Sequence, residues 1–318
     1  AGPGKDADGQ ECSPLILLRQ INEYADQIRK NRIKVRLMLN EGRVSKARTL
    51  QRVMEEQKIP PTLLDWKVHN LPFPKAFDLL YTDLTGGNNL LFLDQQGMKF
   101  TSDAIFHQVI ALERTDFIFF IASSSIRRFQ NHPSFKKHLQ IPEQISARAF
   151  TDTHRAITDY YRNIIPNGSD VLLAPFSLKK RSNIYGVIFG SSHPLGMEKF
   201  LRVCWEMDVE RGEANFDIDG DSLDPMNPLL FPEWNVTQKL KSFQQDLRGR
   251  ILDGSVRSDG AVYFDCLQCG MLPKHGKDVI RQLIKSQHIK ITSGHQPRVS
   301  IAGWKDPRAL EVTNNGNF

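Results

Sequence analysis

The chain has 318 residues, of which 40% are hydrophobic and 25% are charged. This composition is typical of globular proteins and argues against a disordered or fibrous chain, and no apolar run reaches the roughly 18–20 residues that span a bilayer. Lys and Arg outnumber Asp and Glu by 42 to 36, and there are four cysteines. So few cysteines in so long a chain argue against a disulfide scaffold, and the sequence predicts a cytoplasmic protein of two domains.

The excess of positive charge lies towards the C-terminus. Residues 226–318 hold 13 basic and 8 acidic side chains, whereas residues 1–225 hold 29 and 28. Affinity for nucleic acid is therefore expected of the C-terminal part.

The chain opens on a glycine-rich turn, Ala1-Gly2-Pro3-Gly4. Such a turn normally follows a buried strand. We therefore expect a fragment that lacks the first strand of its sheet; a flexible tail with incidental glycines is the alternative.

Helices and strands alternate through the first part of the chain. Ser13-Pro14 predicts a helix start, with Ser13 as the N-cap. The elements that follow are strands at 33–39, 63–68, 90–93 and 117–122 and helices at 44–57, 77–84 and 102–112. The apolar run 90–93 is typical of a buried parallel strand. This alternation predicts an α/β fold with a doubly wound, Rossmann-like parallel sheet.

The pattern then changes. A helix is expected at 147–164, an antiparallel hairpin at 171–178 and 184–190, and a helix at 197–207. Prolines concentrated around residues 226–234 indicate a linker, so we expect an α/β domain over 1–225 and a second domain over 235–318. Helices at 236–252, 259–269 and 275–287 and strands at 289–292 and 299–301 are the parts of a winged helix-turn-helix domain.

Candidate binding residues occupy the ends of the predicted strands. Gly2 and Gly4 would let the backbone approach a ligand, and Glu41, at the end of the next strand, can accept hydrogen bonds from ribose hydroxyls. Asp94 ends a later strand and would face the same edge. A solvated carboxylate is the alternative for Glu41.

A basic stripe marks the helix predicted at 275–287 and the residue before it. Lys274, Lys277, Arg281 and Lys285 recur at spacings of three and four residues and so share one face. The opposite face would be buried, through Val279, Ile280, Leu283 and Ile284. The stripe predicts contacts with nucleic-acid phosphates, or else a solvated face of an interaction module.

Two sequence patterns resemble the start of metal-binding sites but lack the full set of ligands. Cys266 and Cys269 form a single CxxC pair without a fourth zinc ligand, which favours small apolar residues on a helix. Residues 217–228 begin like a calcium loop but end in Pro228 where a bidentate Glu is required. No metal site is predicted.

The ordered motifs resemble the three-Cys-motif partner protein (TcmP) family. They are AGPG followed by Ser13-Pro14-Leu15, then Leu39-Asn40-Glu41, the residues 92–97, the hairpin with Tyr185-Gly186, and residues 270–275. The chain departs from the family at Cys12, where the family has Gly, and at Gln95-Gln96, where the family has Pro after the acid.

The resemblance implies a class I methyltransferase-like domain that binds S-adenosylmethionine, followed by a winged helix. Gly2 and Gly4 would approach the methionine end of the cofactor, Glu41 the ribose, and Asp94 the substrate or methyl centre. The implied partner is a three-cysteine-motif protein that looks like a radical S-adenosylmethionine protein, with DNA or RNA as a further partner and no membrane. Trp66, Phe73 and Trp205 are candidate anchors of a protein interface.

Two function classes stay open. One is a methyltransferase acting on nucleic acid, in which catalysis is mostly positioning of the acceptor. The other is a catalytically silent adaptor or regulator that binds nucleic acid through the winged helix. A protein can inherit a fold without the activity of its family. The methyltransferase and the adaptor would differ in the loop after Asp94, which would contact the substrate.

Overall fold

The structure is a computed structural model that describes residues 1–94, 102–122, 153–220, 223, 236–291 and 296–313. Residue contacts divide the chain into two compact units, Ala1–Gly86 and Gly87–Phe318. The linker predicted at 226–234 lies outside the described residues.

The first unit is built on one parallel pair of strands. Its elements are α1 (Ser13–Glu23), α2 (Ala25–Lys30), β1 (Val35–Asn40), α3 (Val44–Glu56), β2 (Leu64–His69) and α4 (Phe73–Leu84). β1 and β2 run parallel, with Val35 opposite Leu64 and Asn40 opposite His69, and α3 connects them. Leu50 and Met54 of α3 are fully buried, so the predicted helical periodicity of α3 is confirmed.

Two helix starts in this unit differ from the prediction. Cys12 is the N-cap of α1, and Ser13 is already helical, because the Cys12 carbonyl accepts the first helical hydrogen bonds, from Leu15 and Ile16. α4 begins at Phe73 rather than at Phe77, since a proline such as Pro74 fits the first turn of a helix.

The second unit contains a mixed four-stranded sheet. Its strands are β3 (Asn89–Leu93), β4 (Thr115–Ala122), β5 (Leu172–Lys180) and β6 (Asn183–Ser191), in the order β3-β4-β6-β5. β3 and β4 are parallel, and β6 is antiparallel to both β4 and β5. The mixed α/β class and the antiparallel hairpin are thus confirmed, but in the described residues the parallel pairs β1–β2 and β3–β4 belong to separate sheets.

β3 is not buried on both faces. Leu90 is 56% exposed and Phe92 is 42% exposed, whereas Leu93 is buried. This alternation is typical of a strand with one covered face. The expectation of a buried parallel strand at 90–93 is therefore confirmed in its position and its parallel pairing with β4 and wrong in its burial.

The remaining helices of the second unit surround the sheet or follow it. They are α5 (Asp103–Ile110), α6 (Thr153–Ile164), α7 (Pro194–Met207), α8 (Gln238–Leu252), α9 (Asp259–Gln268), α10 (Pro273–Lys285) and α11 (Ile301–Lys305). A short antiparallel pair follows α10. Its strands are β7 (Ile289–Ile291) and β8 (Leu310–Val312), and α11 lies between them in the sequence.

The second strand of the C-terminal pair lies at 310–312, so the strand predicted at 299–301 was wrong. Ile301 starts α11 instead. The reason is a close approach at Gly303, where an added Cβ would lie 1.8 Å from the Arg298 carbonyl oxygen, and at Gly260 of α9, where one would lie 2.5 Å from the Gly303 carbonyl oxygen. Two glycines thus allow α11 to pack against α9, a tertiary contact that local alternation does not reveal.

One hydrophobic core joins the sheet to the C-terminal helices. It includes Phe189 of β6, Trp205 of α7 and Tyr263 of α9. The Tyr263 hydroxyl donates to the buried carboxylate of Glu198 on α7 at 2.8 Å, and the Trp205 indole N–H donates to the Gly270 carbonyl at 3.1 Å. Helices α8 to α10 are therefore fixed against α7 and the sheet.

Candidate cofactor and nucleic-acid sites

Glu41 lies at the carboxyl end of β1 and meets the N-terminal turn. Its backbone N–H donates to the His69 carbonyl at 3.0 Å. Its carboxylate accepts the Gly2 N–H at 2.8 Å through Oε2 and the Arg43 N–H at 2.9 Å through Oε1. The structure thus brings together Gly2 and Glu41, which are 39 residues apart in sequence.

The Glu41 carboxylate is held in its charged form. Burial alone would raise its pKa, but the hydrogen bonds from the Arg43 and Gly2 backbone, together with the charges of the N-terminal ammonium and Lys46, lower the pKa of Glu41 below its usual value. The two N–H donors occupy two of the roughly four acceptor positions of a carboxylate. Glu41 can therefore also accept hydrogen bonds from the hydroxyl groups of a ligand.

The two glycines of the turn differ in their surroundings. Both have positive φ, +74° at Gly2 and +91° at Gly4. A Cβ on Gly4 would lie 3.1 Å from Val53 Cγ1, whereas nothing lies within 4 Å of one on Gly2. Packing against α3 thus accounts for Gly4, and Gly2 is the glycine with open space beside it.

Asn40 and His69 were missed by sequence reasoning. Asn40 exchanges two hydrogen bonds of 3.1 Å with the backbone of Leu71, which fixes the chain after β2 beside the end of β1. His69 Nε2 is buried and has no hydrogen-bond partner among the described residues, and burial followed by the charge of Lys67 lowers the pKa of His69. Their position at strand ends, next to Glu41, was the signal that could have found them.

Asp94 directly follows β3 and is exposed. It belongs to the second unit, whereas Gly2, Gly4 and Glu41 belong to the first. Residues 95–97, where the sequence departs from the pattern of the family it resembles, lie outside the described residues.

The basic stripe occupies one face of α10, as its spacing predicts. Lys274, Arg281 and Lys285 are exposed and Lys277 is half-buried. Val279, Ile280 and Leu283 are buried on the opposite side. Ile284 was wrongly assigned to that buried side, because it is 37% exposed. Asp278 lies within the stripe and pairs with Arg281 at 3.5 Å, so the stripe carries less net charge than its cations suggest.

Trp205 is a core residue rather than a surface anchor. It is only 6% exposed, and its ring lies 4.4 Å from the His275 ring, centroid to centroid. The ammonium groups of Lys274 and Lys239 lie 5.9 and 6.0 Å from the Trp205 ring centroid. Trp66 and Phe73, the other candidate anchors, are half-buried in the first unit.

The two metal-like patterns have other partners in the structure. Cys266 is buried within α9 and Cys269, which ends that helix, is exposed. Asp217 pairs with Arg211 and Asp219 with Arg155, each at 2.7 Å. No cluster of three or more His, Cys, Asp or Glu side chains suited to a metal ion occurs among the described residues.

Two further findings concern the class of protein to which the chain belongs. None of the helices in the described ranges is both long enough and apolar enough to cross a bilayer. Comparisons with protein-family models, with curated proteins and with solved structures find no match to this chain.

Proposed function

We propose that the chain is a methyltransferase-like protein that binds S-adenosylmethionine through its first unit and nucleic acid through its second. The observation that carries the proposal is the hydrogen bond between the Gly2 N–H and the Glu41 carboxylate. It unites the two elements to which the resemblance assigns cofactor binding, and a carboxylate at a strand end accepts hydrogen bonds from ribose hydroxyls. Asp94 is the proposed catalytic residue.

Both proposed folds have support in the topology. Each unit contains a parallel strand–helix–strand connection, β1–α3–β2 in the first and β3–α5–β4 in the second, of the kind that Rossmann-like methyltransferase domains repeat. Strand β6 of the second unit is antiparallel, as in mixed α/β sheets. Three helices, α8 to α10, followed by the antiparallel pair β7–β8, suit a winged helix in which α10 is the recognition helix.

Replacing Glu41 by Gln is expected to weaken binding of S-adenosylmethionine roughly tenfold to a hundredfold. The amide keeps the shape of the side chain but loses the negative charge and one of the two oxygens that accept the Gly2 and Arg43 N–H groups. Charge-assisted hydrogen bonds are worth about 1.5–3 kcal/mol. Calorimetric titration measures the affinity. Glu55→Gln is the matched control, because Glu55 is an exposed acid of α3 in the same unit that accepts a hydrogen bond from Gln51. Absence of binding by the unsubstituted protein would overturn the cofactor proposal.

Replacing Lys277 by Ala is expected to flatten the salt dependence of nucleic-acid binding by about one unit in a plot of log affinity against log salt. Each phosphate contact releases about one condensed counterion. Fluorescence anisotropy with a labelled oligonucleotide measures the slope, and Lys34→Ala, an exposed lysine of the first unit, is the control. If the unsubstituted protein does not bind an oligonucleotide at low salt, the nucleic-acid proposal fails.

A silent adaptor is the second candidate function. It is favoured by the location of the α10 stripe and Glu41 in different units, because α10 then needs no cofactor to bind nucleic acid. Nucleic-acid binding without any methyl transfer to it from S-adenosylmethionine would select this alternative, whereas methyl transfer would exclude it.

A further inference from the structure

A pocket of about 180 Å³, with polar and apolar lining in equal parts, lies beside the start of α10, within the second unit. Its walls come from α6, β5, the chain around Gly212 and the ends of α8 and α9. The charged and reactive side chains in the lining are Arg155, Asp159, Arg162, Glu213, Lys239 and Cys269.

The pocket lining carries three cationic and two anionic side chains. One of the cations, Arg155, also binds the carboxylate of Asp219 at 2.7 Å, outside the lining. The Glu213 carboxylate is neutralised twice, by Arg155 Nε at 2.5 Å and by Lys239 Nζ at 3.0 Å. Its pKa is lowered to about 2, because attraction to Lys239 and Arg155 outweighs burial, which alone would raise it. Arg155 is therefore shared by two carboxylates, and Arg162 and Lys239 are the cations of the lining that remain for an anionic ligand.

Two cations keep donors for such a ligand. Lys239 Nζ donates to the Arg211 carbonyl at 2.9 Å and to Glu213, which uses two of its three N–H groups. Arg162 donates to Asp159 at 3.2 Å, to the Leu173 carbonyl at 2.8 Å and to the Gln268 carbonyl at 3.5 Å, and a guanidinium has five N–H donors in all.

The pocket continues the basic stripe. Lys239 in the pocket and Lys274 at the start of the stripe approach the same Trp205 ring, so their ammonium groups are no more than about 12 Å apart. At about 3.4 Å per nucleotide along one strand, the two ammonium groups are separated by no more than about four nucleotides. The turn at Gly270, which lines the pocket, leads directly into α10.

We propose that this pocket binds one phosphodiester of the nucleic acid that α10 engages, so that the interface runs from α10 into the pocket. A phosphodiester carries one negative charge and accepts hydrogen bonds from Arg and Lys. The inference rests on the proposed nucleic-acid function of α10 and extends it to Arg162 and Lys239.

Three matched arginines test the proposal. Arg162, Arg281 and Arg29 each pair with an aspartate three residues earlier on a helix, and each is more than a third exposed. We expect Arg162→Ala and Arg281→Ala each to flatten the salt slope of oligonucleotide binding by about one unit, and Arg29→Ala in the first unit to leave it unchanged. Arg162→Lys keeps the charge and should retain the slope of the unsubstituted protein.

The possible results separate the two proposals. If Arg281→Ala flattens the slope and Arg162→Ala does not, the pocket proposal is overturned and the function of α10 stands. If neither does, both are overturned. If Arg29→Ala flattens the slope as much as Arg162→Ala, the electrostatic effect is diffuse and the pocket proposal fails.

A second measurement needs no substitution. Cys269 is exposed in the pocket, whereas Cys204 and Cys266 are buried. A saturating oligonucleotide should slow alkylation of Cys269 by iodoacetamide several-fold and leave Cys12 in the first unit unchanged, as read by mass spectrometry. An unchanged rate at Cys269 would overturn the pocket proposal even if Arg162→Ala fails to fold.

Discussion

Replacing Asp259 by Ala is expected to lower the free energy of unfolding by about 2–6 kcal/mol. The side chain is fully buried at the start of α9. Its Oδ2 accepts the Arg298 N–H at 2.7 Å and its Oδ1 accepts the Arg308 N–H at 2.8 Å. Alanine would leave two backbone donors without their acceptor, and each such buried donor costs about 1–3 kcal/mol. Chemical denaturation measures the change.

Asp306→Ala is the matched control for Asp259→Ala. Asp306 also bonds Arg298, through the guanidinium at 2.7 Å, but its side chain is exposed. An exposed ion pair contributes at most about 1 kcal/mol. If the two substitutions lower the unfolding free energy equally, Asp259 does not hold the chain between β7 and β8 as the hydrogen bonds indicate.

Acidification from about pH 6.5 to about pH 4 is expected to cost about 3 kcal/mol of unfolding free energy through His275. The imidazole is buried against Trp205, and its Nδ1 accepts the Leu272 N–H at 3.2 Å. Burial, then Lys274 and Lys239, lower the pKa of His275 to about 4. The unfolded chain, with an ordinary pKa of about 6.5, binds the proton first, so stability falls as the pH falls through this window.

A second window follows at lower pH and belongs to Glu213. The pKa of Glu213 is about 2 in the folded chain and about 4.5 when unfolded, so its contribution is complete above about pH 4.5 and is lost as the pH falls towards 2. Denaturation of His275→Gln and Glu213→Gln across pH separates the windows. The assignment is wrong if His275→Gln retains the full loss between pH 6.5 and pH 4.

The elements that depend on local pattern could be predicted from the sequence. The helix α3, the hairpin β5–β6 and the buried stripe of α10 follow periodicities that local side chains set. Glu41 and Gly2 could also be paired in advance, because strand ends and the turns that follow them meet at one edge of a parallel sheet.

The features that depend on distant contacts could not be predicted. α11 exists because Gly303 and Gly260 allow a close approach, and nothing in residues 299–301 reveals this. Glu213 is recognised as an ion-pair centre only when Arg155, 58 residues earlier, is placed beside it. Tryptophan is a residue type that is common among interface anchors, and only the folded core shows that Trp205 is buried.

The shared core of α7, the sheet and helices α8 to α10 has a thermodynamic consequence. Two hydrogen bonds join α7 to the C-terminal helices, which a modular protein would keep separate. They link Tyr263 to Glu198 and Trp205 to Gly270. If this body unfolds cooperatively, its most protected amide protons share the free energy of global unfolding instead of opening in independent segments. Any polyanion that binds α10 then raises the melting temperature of the β-sheet by mass action, and any substitution that loosens the sheet weakens the polyanion's apparent affinity.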